Sequence, residues 1–126
     1  MCIRDRLTNP NISGSFALLL GRYTRDRQIL SLSDALARTS LKQAQWLESF
    51  APVFRRKGRI QEGMDADITV FDPDSIAAVA DYGQPWENSR GIRWVIVNGS
   101  VTVAEGVVVE GAAAGRYLDT HSSPPD

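Results

Sequence analysis

The sequence predicts an α+β fold: a helical first half followed by a small antiparallel β unit. Two observations carry this. Apolar residues recur at helical spacing as far as Leu47, and from Ile68 onward they fall in short runs of Val, Ile and aromatic residues separated by turn formers. At 126 residues, with 43% apolar and 23% charged residues, the chain has the composition and length of a globular unit of about one domain.

The first helix is predicted from Ser15, because Phe16, Leu19, Leu20 and Tyr23 form an i, i+3, i+4, i+7 stripe. A second begins at Ser31, where Asp34 three residues on gives a capping-box spacing, with Leu32, Ala35 and Leu36 facing inward. A third, short helix follows Ser40, with Gln43 in the box position and Leu41, Ala44 and Leu47 inward. The period then changes. Ile68-Thr69-Val70-Phe71 reads as a strand stopped by Asp72-Pro73-Asp74, and residues 81–90 read as a loop. Trp94-Val95-Ile96-Val97 and Val101-Thr102-Val103 flank Asn98-Gly99-Ser100, a hairpin whose Asn-Gly pair suits positive φ. Gly106 turns the chain into a further run, Val107-Val108-Val109. The apolar stripe of the first helix and the edges of so small a sheet both call for a partner surface.

Charge narrows the functional classes. Acidic and basic residues nearly cancel, 15 against 14, so neither nucleic acid nor a membrane surface is expected as a partner. Apolar runs such as residues 16–20 fall far below the ~20 residues of a membrane span, and no secretory signal follows Met1. The single cysteine, Cys2, cannot form an internal disulfide, which fits a cytoplasmic location. Residues 1–6 fit no periodic pattern and resemble translated adapter sequence, in which case the natural chain begins near Leu7 with its upstream part missing; the alternative is an ordinary frayed terminus.

The chemistry-bearing residues are few. Hydrolytic zinc sites take about three protein ligands, mostly His. The only histidine, His121, lies in a Ser/Pro tail, so no metal ligand is expected in this chain. Asp65 and Asp67 alternate onto one face but read better as turn and strand-entry residues, with Asp67 bonding local backbone. Arg55-Arg56-Lys57-Gly58-Arg59, without interleaved aromatics, reads as a solvated loop. Ser13, Ser15, Ser31, Ser33 and Ser40 lack a His or Lys at a spacing that would activate them, and read as caps and turns. Trp86 either lines a pocket or pins its loop. No catalytic residue is expected.

Gly58-Arg59-Ile60-Gln61-Glu62-Gly63-Met64-Asp65-Ala66-Asp67-Ile68-Thr69-Val70-Phe71-Asp72 resembles the C-terminal signature of the amidohydrolase superfamily. Val95-Ile96-Val97-Asn98-Gly99 and Gly115-Arg116-Tyr117-Leu118 resemble its last hairpin and terminus. Gly14-Ser15-Phe16 through Gly21-Arg22-Tyr23, with Gly91-Ile92-Arg93, is similar to the N-acyl-D-amino-acid deacylase (D-aminoacylase-like) branch. The resemblance implies a larger enzyme, a (β/α)8 barrel with a small β-sandwich domain, in which a zinc-activated water attacks an amide carbonyl. It also implies that the zinc ligands and catalytic Asp lie upstream of this chain. Residues 7–54 would then be the C-terminal helices of the barrel, 55–118 the C-terminal strands of the β domain, and 119–126 a flexible tail. The small-molecule substrate would be an amide, with the oligomeric state left open.

One departure bears on that substrate. The branch carries His-Pro-Arg before the Gly-Ser/Thr-Phe step, its arginine being the clamp for the substrate carboxylate; here the positions are Asn9-Pro10-Asn11. Asn11 is thereby the candidate substrate-binding residue, with neither the charge nor the fork of arginine. The alternative reading is a free-standing, non-enzymatic β-rich interaction module.

Overall fold

The computed structural model describes residues 9–118; Cys2, His121, the leader expected over 1–6 and the tail expected over 119–126 lie outside the described residues. Helix α1 (Asn11–Leu18) runs directly into a π-helical segment, Leu19–Asp26. Helices α2 (Leu32–Thr39) and α3 (Leu41–Glu48) follow, then a 3-10 turn, Pro52–Arg56. Four strands complete the chain: β1 (Ile68–Phe71), β2 (Ile92–Val97), β3 (Ser100–Ala104) and β4 (Val107–Val108), in the order β1-β2-β3-β4. The α+β expectation therefore holds, with the helices first and one four-stranded sheet after them.

Helix α1 starts four residues before Ser15, at a terminus the apolar pattern does not mark. Pro10 stands at the N-cap with φ −64°, already helical, and the Asn9 side-chain oxygen accepts the Asn11 N–H at 3.0 Å. Its buried face also departs from the predicted stripe. Gly14, Ala17, Leu20, Gly21 and Thr24 are the buried residues, whereas Phe16 is 66% exposed. Two effects explain this. The π-helical stretch, seen in the Arg27 N–H bonded to the Arg22 carbonyl at 3.0 Å, turns less per residue and shifts the phase. Small residues on the inner face also let another backbone approach closely. A Cβ on Gly21 would strike the Ile76 carbonyl, and one on Gly91 would lie 2.6 Å from the Ile76 Cα. Ile76, 2% exposed, is thus held between two glycines and forms a core with Ala17, Leu20 and Ala35.

Helix α2 begins as predicted, with the Asp34 N–H donated to the Ser31 hydroxyl oxygen at 3.1 Å and that hydroxyl donated to Asp34 Oδ2 at 2.8 Å. The box predicted for α3 does not form. Ser40 Oγ donates back to the Leu36 carbonyl at 2.7 Å and Gln43 Nε2 to the Arg38 carbonyl at 3.2 Å. Both side chains serve the end of α2, because only Ser40 lies between the two helices.

The hairpin forms at the predicted place, with Val97 opposite Ser100 across the two-residue turn Asn98-Gly99. Their φ values, +47° and +79°, match the twist that strand pairs prefer. Ser100 belongs to β3 rather than to the turn, and β2 begins at Ile92, two residues before Trp94. Glu105-Gly106 repeats the device between β3 and β4, again with positive φ at both positions. A break in register at Val95/Ile96 bends β2.

The described residues divide into two compact units, 9–35 with 71–92 and 36–70 with 93–118. The first contains the Ile76 core. In the second, α3 packs on the 3-10 turn, Ala44 and Ala51 are buried, and no strand residue is. Among the described residues, proline and glycine aside, four of the six buried apolar side chains are alanines, while Phe16, Trp46, Phe50, Ile60 and Val107 are more than 60% exposed. So small a buried core leaves much of the apolar surface exposed.

Candidate functional site

The first turn of α1 carries Asn11, an exposed residue whose carbonyl accepts the Ser15 hydroxyl at 2.5 Å. Two residues on, Ser13 is gripped at both of its polar oxygens. Its hydroxyl donates to the Pro85 carbonyl at 2.9 Å, and its carbonyl accepts the Ser89 hydroxyl at 3.0 Å. The partner loop is internally ordered. Asp81 Oδ1 accepts the N–H groups of Gly83 and Gln84 at 2.8 and 2.7 Å, and the Glu87 N–H reaches the Gln84 carbonyl at 3.3 Å. Its base is closed by a two-way bridge between Ala77 and Arg90. Pro85 is buried and pins the loop, while Trp86 is 48% exposed, with about half of its surface turned to solvent.

The corner where Ser13 meets the loop exposes the Trp86 indole, an aromatic surface, whereas the Asn11 amide, two residues from Ser13 on the helix, lies on another face. The described residues that surround it include no histidine, and neither Ser13 nor Ser15 has a base beside it: both hydroxyls donate to carbonyls. It has the makings of a contact site rather than a reacting one.

A second polar cluster ties the strand entry together. Lys57 Nζ lies 2.9 Å from Asp65 Oδ2 and 2.5 Å from Asp67 Oδ2, while the other Asp67 oxygen accepts the Asn98 N–H at 2.8 Å. Arg56 Nε is 3.1 Å from Asp65 Oδ1 but is not aligned for a hydrogen bond, and Arg59 pairs with Glu48. The basic run is therefore not a solvated loop. Its Lys57 and Arg59 side chains are more than three-quarters buried and consumed by carboxylates. The carboxylate pair is structural as predicted, but Asp67 caps the hairpin turn, 31 residues away, rather than its own neighbourhood.

Burial pulls the Lys57 ammonium down, but its bonds to Asp67 and Asp65 outweigh that and hold it above its ordinary 10.5. Burial likewise pushes Asp67 up, and the Asn98 N–H and Lys57 overcome it, leaving the carboxyl below its ordinary 3.8. A lowered carboxyl stabilises the fold above its unfolded pKa, and that contribution fades as pH falls through the folded value. A raised lysine stabilises below its unfolded pKa and fades as pH rises through the folded value. Lys57→Met should therefore lower stability by about 1–2 kcal/mol at neutral pH. The deficit in thermal midpoint should be flat from pH 5 to 9 and shrink below 3.8 and above 10.5. A deficit that does not change with pH would mean that Lys57 acts through packing alone.

A cleft of about 530 Å³ in the first unit is lined by Leu20, Thr24, Phe71 and Ile76 among others. Its Arg25 is already engaged with Asp26 and with the carbonyls of Pro73, Asp74 and Ile76. Among the described residues no group of three or more His, Cys, Asp or Glu could hold a metal ion. They do not fit a zinc site. No described helix is long and apolar enough to cross a membrane.

No family model matches the sequence. The chain is 34% identical over 115 residues to the D-aminoacylase of Alcaligenes xylosoxydans xylosoxydans, covering 90% of itself and 22% of that protein. It is 36% identical over 97 residues to the N-acyl-D-glutamate deacylase of the same organism, covering 75% and 18%. A crystal structure of D-aminoacylase, described as defining a novel subset of amidohydrolases, superposes with a TM-score of 0.78 at 33% identity, over 88% of this chain and 22% of that one. N-acyl-D-glutamate deacylase from Bordetella bronchiseptica, solved with zinc and a phosphonate mimic of the tetrahedral intermediate, gives 0.69 at 36% identity, over 78% and 20%. The chain spans about a fifth of the length of these relatives. Sequence and fold together make it a homologue of a segment of the D-aminoacylase and N-acyl-D-glutamate deacylase amidohydrolases.

Proposed function

We propose that this chain is the C-terminal segment of a zinc-dependent amidohydrolase that hydrolyses a non-peptide C–N bond in a small N-acylated substrate. The observation that carries this is the one-third identity over nine-tenths of the chain, joined to a matching fold. In the parent, meaning this chain together with the residues upstream of it, residues 7–54 are the last helices of a (β/α)8 barrel and 55–118 the closing part of a β-sandwich domain. The large apolar side chains exposed on this chain, Phe16 and Trp46 among them, are what such neighbours would cover.

The metal ligands belong to the upstream part, since the described residues supply none that fit. What this segment brings to the substrate is Asn11. It stands where the resemblance places an arginine clamp, and its amide can hydrogen-bond a neutral group but not neutralise a carboxylate. The substrate class is therefore an N-acylated amine that does not need a free α-carboxylate, such as an N-acyl amino-acid amide. The test is hydrolysis of N-acetyl amino-acid amides by the purified parent. Activity abolished by a chelator and restored by zinc supports the reading; no turnover of any N-acyl amide by zinc-loaded parent sinks it.

A further inference from the structure

The turn that joins β2 to β3 is Asn98-Gly99, a pairing that leaves the asparagine side chain open to attack by its own backbone. Glycine at the second position leaves the following amide nitrogen unscreened, and here a Cβ on Gly99 would meet nothing within 4 Å. The fold nevertheless ties both reacting groups. Asn98 Nδ2 donates to the Ala114 carbonyl at 2.6 Å, and the Gly99 N–H donates to the Ala66 carbonyl at 3.0 Å. The Asn98 N–H is held as well, by Asp67 Oδ1 at 2.8 Å, and the Val97–Ser100 pair closes the turn. An N–H committed to a carbonyl is harder to deprotonate, and a tethered side chain cannot swing its carbonyl carbon onto the next nitrogen. The Ala114 tie also fastens the segment after β4. Gly115, Arg116 and Leu118 of that segment line a cleft of about 480 Å³ together with Ala44, Leu47 and Phe54.

We propose that Asn98 is a site of spontaneous covalent modification, deamidation through a cyclic imide, which the folded chain holds in check and whose product releases the segment that Ala114 anchors. In the reaction the Gly99 nitrogen gives up its proton to solvent base and attacks Asn98 Cγ. The bond from Cγ to Nδ2 then breaks, and ammonia leaves with a proton taken from water. Water opens the imide at either carbonyl, giving Asp or isoAsp, so the net change is asparagine plus water to acid plus ammonia. The product cannot restore the tie. An ionised carboxylate has no proton to donate, so it would face the Ala114 carbonyl oxygen without a bond, and it adds a negative charge to the turn that Asp67 already caps. The isoAsp form also lengthens the main chain across a turn built for two residues.

The experiment follows the 126-residue chain at mildly alkaline pH, folded in buffer and unfolded in urea. Mass spectrometry of the peptide spanning Asn98 and isoaspartyl methyltransferase labelling read the conversion. It should be about tenfold or more slower in the folded chain, the scale of two net hydrogen bonds. Gly99→Ala should slow it in urea, which assigns the site. A chain ended at Ala112, lacking the Ala114 carbonyl, should convert faster than wild type in buffer. Asn98→Asp stands in for the product: trypsin should cut it after Arg116 faster than it cuts wild type, with cleavage after Arg59 unchanged. Equal rates in buffer and urea, or no conversion in either, overturn the proposal at Asn98. A wild-type rate in the shortened chain overturns the hold exerted by Ala114. Cleavage after Arg116 that is unchanged in Asn98→Asp, or that rises no more than cleavage after Arg59, overturns the release of the segment.

Discussion

Gly91→Ala is expected to destabilise the chain by about 3 kcal/mol, among the largest effects a single methyl group can have here. Gly91 has φ +81°, a conformation that costs an L-residue about 1–2 kcal/mol. Its new Cβ would also sit 2.6 Å from both the Cα and the amide nitrogen of Ile76. Backbone cannot rotate away as a side chain would, and Gly21 closes the other side of Ile76, so overpacking adds about 1–3 kcal/mol. Gly99→Ala is the control. It shares the positive φ, +79°, but a Cβ there meets nothing within 4 Å. Thermal midpoints should fall in the order wild type, Gly99→Ala, Gly91→Ala. Equal losses for the two variants would mean that the close approach to Ile76 does not exist.

Asn11→Arg in the parent should raise kcat/KM for N-acyl-D-amino acids over the corresponding amides by about tenfold or more. A guanidinium holds a carboxylate through two charge-assisted hydrogen bonds, worth roughly 1.5–3 kcal/mol each. The Asn11 amide offers one neutral bond of roughly 0.5–1.5 kcal/mol. The backbone that would carry the new side chain is already fixed, with the Asn11 N–H on Asn9 and its carbonyl under Ser15, so the substitution changes the head group without loosening the turn. The selective ratio is the informative quantity, because a general change in activity would move acid and amide together. An unchanged ratio would mean that Asn11 does not face the substrate or that another cation already holds the carboxylate.

What could be read in the sequence follows the range of the interactions. The Asn98-Gly99 hairpin and the Ser31 cap were legible because both are closed within a few residues, by a turn that needs positive φ and by a hydroxyl three residues from its donor. The buried face of α1 was not. It is chosen by the close approach of Ile76 to Gly21, 55 residues apart in sequence, and no local apolar count registers a glycine as a core residue. The duty of Lys57 was hidden for the same reason, since Asp65 and Asp67 reach it across a turn and their charges look like any solvated run. The corner where Ser13 holds the Trp86 loop depends on hydrogen bonds spanning 72 and 76 residues. From sequence, Trp86 could equally have been the pin; only the burial of Pro85 assigns that duty to its neighbour.

The location of the metal tests the account most directly. Zinc is measured by elemental analysis in the purified parent and in the 126-residue chain alone, alongside hydrolysis of N-acetyl-D-leucinamide by each. The described residues hold no cluster able to bind a metal ion, so the parent should carry zinc and turn the amide over, and the chain alone should do neither. Stoichiometric zinc in the isolated chain, with hydrolysis that disappears in His121→Ala, would contradict it.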